Sequence, residues 1–228
     1  MRELSELLNT VEPAWPQVQD WMREARNPVE VLPATDPDRA DALVATQVTT
    51  RSPMGAIIYE TGGILIDGGW LRLLGSGHPR LPRSLPEWNV GRTSKEPGDP
   101  RYFLLVADDA VGGFFAINGG GLGPEIGNVF YHAPDTLEWE DLNRGYTDFV
   151  YWCFTGDLNM FYDGMRWPDW QIDLAGLAGD RAYSVYPFLF AAGPGIQERS
   201  RRAVPIAELY GLYVAEGGNA DQLKQQNL

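Results

Sequence analysis

The sequence predicts an α+β fold, a mostly antiparallel sheet flanked by helices, with helical extensions at both ends of the chain. Three observations carry that expectation. Proline in helix-starting contexts recurs at Pro13, Asp36-Pro37 and Ser52-Pro53. Short apolar and aromatic runs punctuated by glycine then fill residues 64–140, which reads as strands and turns. A helix-length apolar pattern returns at Tyr146 to Phe161.

The elements follow in order. Glu3 to Leu8 reads as a short helical turn. A second helix opens near Pro13 and places Trp15, Val18, Trp21 and Met22 on one face. It stops at Asn27-Pro28, because the residue before proline is pushed out of the α region. Asp36-Pro37 starts a helix that runs to about Gln47, and Ser52-Pro53 starts one over Met54 to Glu60 that closes on Gly62-Gly63. Ile64 to Asp67 and Trp70 to Leu74 form a hairpin about Gly68-Gly69. Residues 75–101, with Pro79, Pro82, Pro86, Pro97 and Pro100, read as a long ordered loop holding a turn of helix near Ser84 to Asn89. Strands are expected at Tyr102 to Ala107, Gly113 to Asn118, Asn128 to His132 and Leu137 to Glu140, the first two joined by an Asp108-Asp109 turn. Beyond the long helix, Arg166 to Trp170 is irregular, Tyr183 to Phe190 reads as a strand around Pro187, and Pro205 opens a last helix to about Ala215, ended by Gly217-Gly218.

Size and charge exclude several classes of function. At 228 residues the chain can bury a substantial core without disulfides, and the lone Cys153 cannot form one internally. The longest apolar runs, such as Phe103 to Ala107 and Phe114 to Ile117, are too short to cross a bilayer. An acidic start without an apolar core is not a signal peptide, and these features together place the protein in the cytoplasm. The net charge of −13 repels phosphate backbones, which argues against nucleic acid. Charge is also uneven: residues 102–173 carry twelve acids against two basic residues, whereas residues 72–101 are net basic. Such an acidic stretch either keeps the chain soluble or faces a basic partner.

The run RYFLLVADDAVGGFFAIN, the glycine loop after it and GNVFYHAPDTLEWEDLNRGYTDFV resemble the core of the SUKH superfamily over about residues 50–155. Across the whole chain, EPAWPQVQDW, NPVEVLP, TTRSPMGAI and ETGGILIDGGWLRLLGSGHPRLPRSLPEWN resemble a bacterial domain-of-unknown-function family (2625). The resemblance implies one SUKH-like α+β domain over 1–228, with a helical extension at 1–49 and a C-terminal elaboration at 156–228. It also implies a non-catalytic role, because bacterial members of that superfamily are often immunity proteins that neutralise toxins.

Candidate chemistry is sparse. His78 and His132 are the two histidines, without metal-ligand spacing between cysteines or histidines, so neither a metal nor a cofactor is expected. Cys153 lies between Trp152 and Phe154, the setting of a packing residue and not of a reactive thiolate. Gly119 to Gly123 lacks phosphate-loop spacing, and Gly75-Ser76-Gly77-His78 is not a nucleophile elbow. The leading expectation is a protein-binding surface for a basic toxin or effector. Glu138, Trp139, Glu140 and Asp141 supply charge and an aromatic anchor, Asp108 and Asp109 the rim, and Trp167 and Trp170 further anchors. The alternative is a small-molecule hydrolase using His78 or His132 with a nearby aspartate. A third reading is an oligomer whose exposed aromatics form the self-interface.

Overall fold

Gly68 and Gly69 both hold positive φ, 70° and 90°, a conformation that costs glycine little and other residues more. They reverse the chain between two strands, β2 (Thr61–Ile66) and β3 (Leu71–Leu74), every residue of which is buried. The computed structural model of the protein describes residues 1–95 and 102–215. Around this hairpin lies a seven-stranded antiparallel sheet whose strand order follows the chain, completing the predicted α+β class. Its other strands are β1 (Val29–Pro33), β4 (Phe103–Asp109), β5 (Phe114–Asn118), β6 (Asn128–His132) and β7 (Trp139–Gly145). A separate ribbon pairs β8 (Arg181–Tyr186) with β9 (Ser200–Pro205).

Both faces of the sheet are covered, which is why its central strands read as near-continuous apolar runs. Successive residues on β5 point to opposite sides. Phe115 stacks on Tyr131 and meets Phe149 at 5.1 Å, on the face covered by α6 (Tyr146–Thr155). Phe114 meets Tyr210 of α9 (Ile206–Tyr210) edge-on at 5.3 Å on the other. The N-terminal helices are α1 (Leu4–Leu7), α2 (Trp15–Arg23), α3 (Asp38–Thr46) and α4 (Pro53–Glu60). The short α5 (Leu85–Asn89), α7 (Leu158–Phe161) and α8 (Trp170–Ala175) complete the set among the described residues. No described helix is long and apolar enough to cross a membrane.

Several expected boundaries move, each for a local reason. Residues 29–33, which fall inside the helical extension expected at 1–49, form the edge strand β1, and its last residue, Pro33, sits where an edge tolerates a missing N–H. α2 starts at Trp15 with Pro16, not Pro13, in its first turn. α3 starts one residue later than expected, and the Asp36 carboxylate pairs with Arg39 instead of capping. Ser52 caps α4 as expected, its hydroxyl accepting from the Gly55 N–H. Gly62 and Gly63 do not end that helix in a left-handed cap; they lie in β2, where a Cβ on Gly62 would stand 2.7 Å from the His78 Cβ.

Asp108 and Asp109 are the last residues of β4, and the turn follows them. The long helix breaks at Gly156, after which Asp157 caps α7 by accepting from the Met160 N–H at 2.9 Å. Trp170 to Ala175, expected to be irregular at its start, is helical; β8 stops short of Pro187, and β9 was not anticipated. The Gly217-Gly218 stop and part of the 75–101 loop lie outside the described residues.

Candidate functional site

The loop after β3 is folded by its own backbone into the wall of a cleft. The Ser76 and Gly77 N–H groups donate to Thr61 O and Gly62 O, both at 2.9 Å, and His78 and Leu81 exchange a reciprocal pair of hydrogen bonds. Leu85 N–H then returns to Gly75 O at 2.8 Å. Gly75 allows this close approach, since a Cβ there would fall 2.7 Å from Gly63 N. Ser84 and Glu87 form a reciprocal capping box that starts α5. Between this loop, α3 and α5 lies a cavity of about 410 Å³. Asp38, Asp41, His78, Arg83 and Glu87 are among its lining side chains. The carboxylates are exposed, and His78 is half-buried, its Nδ1 accepting from the Arg80 N–H at 3.1 Å.

Behind the cleft is a buried charge cluster. Arg72 from β3 and Arg83 from the loop converge on Asp108, with Arg72 Nε 2.7 Å from Oδ1 and Arg83 Nη2 donating to Oδ2. Arg72 also donates to Arg181 O at 2.6 Å and Asp109 O at 2.7 Å, and Arg83 donates to Gly179 O. These carbonyls offset part of the desolvation that two buried guanidiniums incur. Burial still pushes the Arg83 guanidinium down from its ordinary range. Arg72 lines a second cavity, of about 320 Å³, on the far side of Pro79 and Pro82.

Asp109 points the other way. It accepts from Val111 N at 3.0 Å, Gly113 N at 2.8 Å and the Tyr131 hydroxyl at 2.8 Å. Burial raises its carboxyl above the usual range, opposed by those three donors. Both aspartates are wholly buried, so neither forms the rim of a binding surface expected from the sequence.

The tryptophans divide. Trp167 and Trp170, expected as anchors, are buried against Trp70 at 5.7 and 5.0 Å. Arg166 lies over this group, its Cζ 4.3 Å from the Trp170 ring centre and 4.8 Å from that of Trp70, and pairs with Asp67. Their role is therefore closure of the core. Trp139 is half-buried at the start of β7, packed on Phe103 and His132. Glu138 and Glu140 beside it are exposed, while the half-buried Asp141 is engaged by the Asn128 side chain and the Asn143 N–H. Since β7 is the outermost strand, these acids do lie together along one sheet edge.

His132 is 3% exposed, and its Nδ1 has no hydrogen-bond partner among the described residues. Burial lowers its pKa to about 4. The strand register aligns Arg72, Asp108, Phe114, His132 and Trp139 in one row across the sheet. His132 and Asp108 are thus two strands, about 10 Å, apart with Phe114 between them. No hydrogen bond joins either histidine to Asp108 or Asp109 among the described residues, so the acid–base pairing of the hydrolase alternative is not formed there. Cys153 is buried in an apolar setting that pushes its thiol well up. Arg72, Arg83 and Arg166 escaped the sequence reading. Their one signal was a charge set among apolar residues, as in Leu71-Arg72-Leu73-Leu74.

An α+β chain with a folded cleft, a buried arginine–aspartate cluster and an acidic sheet edge defines a class by architecture alone. The chain belongs to the family described as protein of unknown function DUF2625, which matches residues 4–209. It is 44% identical over 210 residues to the putative uncharacterized protein YbfG of Escherichia coli (strain K12), covering 92% of this chain and 94% of that one. It is 41% identical over 222 residues to an uncharacterized protein of Haemophilus influenzae (strain Rd), covering 97% of both.

Proposed function

We propose that this protein is a non-enzymatic binding protein that receives a basic surface of another protein along the acidic edge at Glu138, Trp139, Glu140 and Asp141. The observation that carries the reading is the position of those residues. Glu138, just before the outermost described strand, and Glu140 on it face solvent, and Trp139 between them is half-buried against Phe103 and His132. Opposite potentials steer such encounters and screen away with salt. Neutralisation of a cationic toxin or effector is the finer form of this reading, supported by the SUKH resemblance and by the twelve acids between residues 102 and 173.

The test is capture of partners from the native host by the wild-type chain and by Glu138→Lys/Glu140→Lys. A basic protein retained by the wild type should associate at least tenfold more slowly with the variant, with a flatter salt dependence. Equal association rates would sink the assignment.

One observation favours the hydrolase alternative: His78 shares its cleft with Asp38 and Asp41. Turnover of ester or amide probes that is abolished by His78→Gln would establish that reading in place of the first.

A further inference from the structure

We draw no further inference here: the strongest candidate, the apolar groove between α2 and the edge strand β1 that Trp15, Met22 and Val31 line, is an unpartnered face, and nothing in the structure shows what covers it.

Discussion

Asp108 and Asp109 are adjacent on β4, yet their carboxylates serve opposite faces of the sheet: Asp108 closes a pair of arginines, and Asp109 caps the β4–β5 turn and holds Tyr131. The two-residue period of a strand enforces that split. It removes the possibility that the pair acts as one carboxylate site, and it ties two distant parts of the chain to one strand end.

Asp108→Asn leaves two buried guanidiniums short of their counter-charge. Breaking a buried pair in this way costs about 3–5 kcal/mol. Urea denaturation should show a loss in that range, against a far smaller one for Asp180→Asn at the exposed surface. A loss below about 1 kcal/mol would mean that the cluster contributes little to stability.

His132 makes stability depend on acidity. Its folded pKa, about 4, lies below the ordinary 6.5, so the unfolded chain binds more protons between those values. Its contribution is complete above pH 6.5 and falls away as pH drops toward 4, by up to about 3 kcal/mol. His132→Phe should flatten the wild-type slope over this window in denaturation followed from pH 7 to 4. An unchanged slope would show that the imidazole reaches water in the folded state.

Asn89 stands in for a strand residue. Its side-chain amide donates to Leu105 O at 2.8 Å and accepts from Leu105 N at 2.9 Å, beside an irregularity in the β4–β5 register. Asn89→Ala strands both buried backbone groups, at about 1–3 kcal/mol each. Hydrogen exchange at Leu105 should accelerate with the loss of stability. Asn89→Asp should also destabilise, because a carboxylate cannot donate to the Leu105 carbonyl.

Gly113→Ala should be severe. A Cβ there would collide with the Asp109 carboxylate and the Tyr131 hydroxyl, both packed and fixed. We expect a loss of about 2–4 kcal/mol by thermal or chemical denaturation, from overpacking together with the broken hydrogen bonds. Gly91→Ala is the contrasting control, having open space around it and only its φ of 77° to oppose the change.

Elements whose signals are local were legible in the residues. The Gly68-Gly69 hairpin, the Ser52-Pro53 helix start and strand β6 over Asn128 to His132 each depend on turn chemistry or periodicity within a few residues. Strand β1 was not, because Val29 to Pro33 becomes a strand only by pairing with β2, whose partner residues lie 28 to 37 positions further along the chain. The acidic edge was legible as composition. The cleft was not, since Asp38, Asp41, His78 and Glu87 come from three separate segments.

By itself the sequence determined the class of fold, the acidic balance and the glycine positions, all properties of single residues and their near neighbours. The tertiary structure decided which acids and tryptophans reach water. Asp108 and Trp167 are drawn inward by Arg72 and Trp70, while Glu140 is left outside because no strand among the described residues pairs beyond β7. Exposure depends on what packs over a residue from elsewhere in the chain, and that partner is absent from any local pattern.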